Sequence, residues 1–215
     1  MKRIKEILKK IVFRYLKLGG PSYRYNVEPI QLATLIYELD RLDSFKGNIL
    51  EVGVARGMTT RFLCEHLKNN ANFDGVYYAV DTFDSFTESD LAHEVESRGK
   101  KISEIRGFEY NDVNIWQSNF KDFPFVKAVK GDCSAIDYNR LSPIKLTFLD
   151  VDLYIPTLNA LEKIYDCTVE GGVILVDDCM DNTPVDGALA AYNEFCTKKG
   201  IESKIIGNKC GIIYK

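Results

Sequence analysis

The sequence predicts an α/β protein: a Rossmann-like, doubly wound seven-stranded sheet, mostly parallel, with an antiparallel C-terminal hairpin strand. Three observations carry this. From about residue 48 onward, short apolar runs alternate with stretches of helical periodicity, and strand-helix-strand repetition needs crossovers that make parallel strands covered on both faces. The last two runs, 203–207 and 211–215, are separated only by Asn208-Lys209-Cys210, which is too little chain for a crossover and forces an antiparallel hairpin. Finally, 215 residues that are 46% hydrophobic and 12% aromatic suffice for one well-filled domain.

Taken in order, residues 1–20 read as a basic amphipathic helix, with Ile4, Ile7, Leu8, Ile11, Tyr15 and Leu18 on one face and lysines and arginines around it. Gly19-Gly20-Pro21 ends it. Its apolar face calls for a cover: its own domain, a second subunit in a homo-oligomer, or an anionic membrane surface. Residues 21–215 read as a single domain. Pro29 opens a second helix that turns Leu32, Leu35, Ile36, Leu39 and Leu42 inward. Strands follow at 48–52, 76–81, 126–130, 145–150, 172–177, 203–207 and 211–215, with helices at 58–69, 110–120, 157–166 and 185–199. Segment 84–125 is long for a plain connection and is read as a lid-like insertion. Within it Phe120 and Phe123 are assigned to the core, and Trp116 and the charged stretch 88–106 to the lid.

Charge excludes some partners. Residues 1–18 hold seven Lys/Arg and one Glu, whereas the rest carries 21 basic against 30 acidic residues, so a nucleic-acid-binding face is not expected. No apolar run approaches the roughly 18 to 20 residues of a bilayer span, and the N-terminus lacks a secretory pattern. A cytoplasmic protein, at most peripheral to the inner membrane face, is the expectation. Six cysteines without C-x-x-C and two histidines without ligand spacing indicate reduced thiols and no zinc site.

Acidic residues stand at the ends of the strands. The first strand runs into Glu51-Val52-Gly53-Val54-Ala55-Arg56-Gly57, where small residues let the backbone turn sharply and approach a ligand. The spacing is G-x-x-x-G rather than G-x-G-x-x-G, and Glu51 would repel a pyrophosphate but not a cationic ligand. A bare strand-to-helix turn is the alternative. Asp81 ends the second strand, where a carboxylate can accept ribose hydroxyls. Asp132 follows the third, placed either for an adenine amino group or for an ordinary Asx turn. Asp150 and Asp152 close the fourth strand and Asp177 and Asp178 the fifth. So many carboxylates at one edge need a compensating cation, and Asp150, Asp177 and Asp178 could supply oxygen ligands to Mg²⁺. Asp177 and Asp178 can share one ion only if the chain leaves strand geometry between them; otherwise one of them is a cap or turn former.

In this order E-V-G-V-A-R-G, V-D-T-F, D-V-D-L-Y-I-P-T and G-G-V-I-L-V-D-D resemble class I S-adenosylmethionine-dependent methyltransferases. The likeness is greatest to the macrocin and mycinamicin sugar O-methyltransferase family, over roughly residues 45–195. Val151, in place of a glycine, and Cys179, in place of an aromatic residue, depart from the family pattern. The resemblance implies that Glu51, Gly53, Ala55 and Gly57 line the S-adenosylmethionine pocket, Asp81 holds the ribose, Asp132 lies near the adenine, and Asp150, Asp177 and Asp178 bind Mg²⁺. It also implies transfer of a methyl group to a hydroxyl of a sugar or glycosylated small molecule, by in-line displacement. Asp150 is then the proton acceptor as well as a ligand, with Asp152 as the substitute. Neither histidine is needed; His66 is assigned a structural role. The competing readings are a catechol-like aromatic O-methyltransferase and a nucleotide-binding module without catalysis.

Overall fold

In the computed structural model, which describes residues 2–16 and 18–215, the central strands are buried for a reason visible in their composition. Strand β1 (Asn48–Val52) lies at the centre, between β2 (Tyr77–Asp81) and β4 (Ile144–Leu149). Beyond these lie β3 (Val126–Lys130) on one side and β5 (Thr168–Val176), β7 (Cys210–Tyr214) and β6 (Lys204–Ile206) on the other. The order is β3-β2-β1-β4-β5-β7-β6. All pairs are parallel except those of β7 with β5 and β6, and the Ile206↔Cys210 pairing closes the expected hairpin.

Alternation along each strand feeds two cores. Ile49, Leu146, Phe148, Val173 and Leu175 pack under helices α2 (Pro29–Arg41) and α3 (Met58–Leu67), with Leu32, Leu35, Leu39 and Leu63. Leu50, Val52, Leu149, Ile174 and Val176 pack under α7 (Tyr154–Cys167) and α8 (Gly187–Lys199), with Ala160, Leu161, Ile164 and Phe195. With both faces covered, apolar residues are needed at successive positions. The chain leaves β1 toward β2 on one side and returns to β4 on the other, so the carboxyl ends of β1 and β4 flank the crevice where ligands bind in open α/β sheets.

Several boundaries differ from the sequence reading. Helix α7 begins at Tyr154 rather than at 157, because Pro156 falls in the first turn, where its missing N–H is not needed. Strand β5 begins at Thr168, and β4 ends at Leu149, which places Asp150 just past it. The insertion contains two helices that were not expected, α4 (Glu88–Glu96) and α5 (Ile102–Ile105), before α6 (Val113–Asn119). Trp116 is corrected from lid to core: it is buried in the first cluster, stacked on Phe120, and Phe120 and Phe123 are core as expected. Residues 88–106, read as part of the lid, are tied to the body of the domain. Arg98 and Lys100 each reach Asp186 at 2.7 Å, which pins α4 and the residues after it to the start of α8.

The N-terminal helix, α1 (Lys2–Arg14), narrows the three covers left open for its apolar face. Residues 2–16 are all exposed, so the domain does not cover the apolar face. Met1 and Lys17, which fall in the expected helix, lie outside the described residues.

Candidate active site

One cavity of about 360 Å³ opens at the carboxyl ends of β1, β2, β4 and β5, and Glu51, Gly53, Ala55, Asp81, Asp132, Asp150, Asp152, Asp177 and Asp178 all line it. Gly57 does not. Its N-capping turn at α3 (φ +80°) faces inward, where a Cβ would stand 2.6 Å from the Phe120 ring and 2.9 Å from the Trp116 indole nitrogen. The structure thus gives Gly57 a packing role. Gly53 (φ +81°) answers to an internal neighbour too, since a Cβ there would overlap the carbonyl oxygen of Asp150. That contact joins the β1 loop to the β4 loop.

At the β1 end, Glu51 is 1% exposed. Its Oε2 accepts the Thr60 hydroxyl at 2.6 Å and a short bond from the Tyr77 hydroxyl. Burial lifts its carboxyl from the ordinary 4.5 to about 7; the bonds from Thr60 and Tyr77 oppose the rise, and the charge of Asp81 adds to it. Asp81 spends much of its capacity on the loop itself. Oδ2 accepts the amides of Val54 at 2.8 Å and Ala55 at 3.0 Å, and Oδ1 accepts that of Phe83 at 2.6 Å. Asn111, from the insertion, donates to the Ala55 carbonyl at 2.8 Å. Asp132 makes the Asx turn, with Oδ1 accepting the Ser134 amide at 2.8 Å, and still lines the cavity.

At the β4–β5 end the chain leaves strand geometry as a shared site requires: Asp152 (φ +61°) and Asp178 (φ +53°) are both left-handed, a conformation Asp tolerates better than most residues. Asp150, Asp177 and Asp178 bring one carboxylate oxygen each within 4.8 Å of one another. Burial raises the carboxyls of Asp150, Asp152 and Asp177 above the usual range, and their mutual repulsion adds to it. Two further residues compensate. Gln31 of α2 donates to Asp177 Oδ1 at 2.7 Å, and Lys209, from the β6–β7 hairpin, lies 3.1 Å from Asp177 and 2.9 Å from Asp178. The two carboxylates push the Lys209 ammonium above its ordinary value despite its desolvation. Among the described residues, no donor reaches the Asp150 carboxylate.

Sequence reasoning did not find Gln31, Lys209 or Asn111. A trace of Gln31 exists, because a polar residue four positions before Leu35 interrupts the inward stripe of α2. Lys209 left no signal beyond its place in the turn. Phe86, Phe108 and Tyr110 form the aromatic part of the wall, with Phe86 and Phe108 edge to face at 5.6 Å. His66 sits away from the cavity, paired with Asp40 at 2.7 Å.

A mostly parallel seven-stranded sheet ending in an antiparallel β7, with an acidic crevice at its switch point, defines a class I methyltransferase fold. Among solved structures, the O-methyltransferase NovP superposes with a TM-score of 0.71 at 18% identity, covering 90% of this chain and 83% of that one. The calicheamicin methyltransferase CalS11 gives 0.70 at 15%, covering 99% and 91%. The chain belongs to the Macrocin-O-methyltransferase (TylF) family, whose model matches residues 31–214. A curated relative, the 8-demethyl-8-(2,3-dimethoxy-alpha-L-rhamnosyl)-tetracenomycin-C 4'-O-methyltransferase of Streptomyces olivaceus, is 23% identical over 171 residues; these are 76% of this chain and 63% of the relative. The chain thus spans just under two thirds of that relative's length.

Proposed function

We propose that the protein transfers the methyl group of S-adenosylmethionine to a hydroxyl of a sugar or a glycosylated small molecule, with a divalent cation held by Asp150, Asp177 and Asp178. One observation carries this: a single cavity joins the Glu51–Asp81–Asp132 end to the Asp150–Asp177–Asp178 end, so a cationic nucleoside and an acceptor can meet in it. Family membership and the sugar O-methyltransferase relative support the acceptor class.

The β1 loop, held by Asp81 and Asn111, and the wall of Phe86, Phe108 and Tyr110 orient the two reactants in line, and such alignment removes a large part of the barrier. As the acceptor oxygen bonds to the methyl carbon, the carbon–sulfur bond breaks and its electron pair stays on sulfur. The hydroxyl proton passes to Asp150, whose carboxylate has no competing donor and borders the cavity. The donor set fits a hard cation: all three groups are carboxylates, the oxygen donors such an ion prefers, and one oxygen of each lies within 4.8 Å of the others. Such an ion, when bound, neutralises the cluster and makes a bound hydroxyl more acidic.

Calorimetric titration with S-adenosylhomocysteine, then mass-spectrometric assay of methyl transfer to a panel of deoxysugar glycosides and catechols with and without chelator, tests the proposal. Binding, a methylated glycoside and loss of product with chelator are expected. Absence of binding at millimolar ligand overturns the methyltransferase reading, methylation of catechols alone overturns the acceptor class, and full activity in chelator overturns the metal.

A further inference from the structure

We infer that α1 is a docking element for an anionic lipid surface. Its 13 residues, KRIKEILKKIVFR, have none buried, and Ile4, Ile7, Leu8 and Ile11 are between 42% and 64% exposed. At 3.6 residues per turn, Ile4, Ile7, Leu8, Ile11, Val12 and the following Tyr15 fall within an arc of about 140°. Lys2, Arg3, Lys5, Lys9, Lys10 and Arg14 share the remainder with Glu6 and Phe13, with Lys5 at one edge of the apolar arc and Arg14 at the other.

Charge decides the occupant. Among the described residues, Lys9 alone of these cations has a carboxylate within reach, and that is Glu6 on the same helix, at 3.1 Å. Six cations against one acid, ranged on both flanks of an apolar stripe, match the boundary between phosphate headgroups and acyl chains, where lysine and arginine stems extend toward the phosphates as the stripe enters the hydrocarbon edge. No helix is long and apolar enough to cross a membrane among the described residues, so α1 would lie along the surface. Residues 18–25, which carry no regular structure, lead from it to Asn26 and Val27, and both line the cavity. With the eleven residues 15–25 spanning at most about 40 Å, docking keeps the Asn26–Val27 wall of the cavity within about that distance of the bilayer.

The test is co-sedimentation of the full chain with phosphatidylcholine vesicles containing or lacking phosphatidylglycerol. Partition at least about tenfold stronger on the anionic vesicles is expected, falling severalfold as salt rises from about 50 to about 300 mM. The Ile7→Glu/Ile11→Glu variant should lose this partition and keep its S-adenosylhomocysteine affinity, which shows that the domain is intact. No partition, or equal partition on both vesicles, overturns the inference. So does a dimer, seen by analytical ultracentrifugation, that the same substitutions dissociate in a chain that ignores vesicles, since a second copy would then cover the stripe.

Discussion

The ammonium of Lys209 lies 3.1 Å from Oδ1 of Asp177, and the Lys209 side chain is only 11% exposed. This lysine is the protein's own counter-cation for a cluster that would otherwise be strongly self-repelling. It shares that place with any divalent ion held by Asp150, Asp177 and Asp178, and two cations a few ångströms apart oppose each other. Lys209→Met should therefore raise divalent affinity at least about tenfold at pH above neutral, read by electron paramagnetic resonance with Mn²⁺. In chelator the same variant should lose roughly 2–4 kcal/mol of stability in denaturant unfolding, because a buried ion pair loses one partner. Weaker Mn²⁺ binding would instead make Lys209 a brace that holds the ligands in place.

Glu51 sets a pH dependence of stability. Its folded pKa, about 7, exceeds the ordinary 4.5, so the fold favours the neutral carboxyl. The contribution is complete below about pH 4.5 and is lost as pH rises through about 7, amounting to about 3 kcal/mol across that window. Glu51→Gln keeps an oxygen for Thr60 and Tyr77 but cannot ionise. The melting temperature of Glu51→Gln, minus that of the wild type, should grow between about pH 5 and about pH 8. A difference that shrinks over that range would mean the carboxylate is stabilised by the fold.

Glu94 shows how the insertion holds the acidic loop. This residue, 1% exposed, accepts the Tyr154 amide at 2.7 Å and the Arg98 guanidinium at 2.9 Å. It thereby caps α7 two residues after Asp152 and ties it to α4. Glu94→Ala strands the Tyr154 amide and leaves Arg98 only Asp186, and should lower stability by about 2–4 kcal/mol, whereas Glu94→Gln, which keeps an acceptor, should lose less than half of that. Urea unfolding of the two variants checks the ratio.

What the sequence made legible follows from how far apart the interacting residues lie. Strands such as β1 and β4 were readable because both of their faces are buried, which leaves continuous apolar runs that end in acids. Helix α4 was not, because its hold on the fold runs through Glu94, Arg98 and the distant Asp186 rather than through an apolar stripe. Trp116 was misplaced because helical spacing shows which residues share a face, not whether that face looks inward. The glycines of the β1 loop were legible as a sharp turn, but the distant neighbours that also require them were not: Gly53 makes room for the Asp150 carbonyl, and Gly57 for Phe120 and Trp116. Gln31 and Asp177 meet across 146 positions, which no local pattern encodes.

Substitution of Asp150 separates the proposed proton transfer from cofactor binding. Among the cluster it is the member with no protein donor on its carboxylate, whereas Oδ1 of Asp177 already takes Gln31, Lys209 and the Asp178 amide at 2.7 Å. Asp150→Asn keeps shape and one possible ligand oxygen but cannot accept the hydroxyl proton. Methyl transfer should fall about 10²- to 10⁴-fold, the usual worth of a positioned base, while S-adenosylhomocysteine affinity changes by less than about threefold, because the β1 loop and Asp81 stay in place. Asp177→Asn should differ in kind: Gln31 and Lys209 can still meet the amide oxygen, so the loss should appear as a higher metal requirement and be partly rescued by excess Mg²⁺. If Asp150→Asn were rescued to the same extent, its role would be ligation alone, and Asp152, which also lines the cavity, would be the remaining carboxylate able to take the proton.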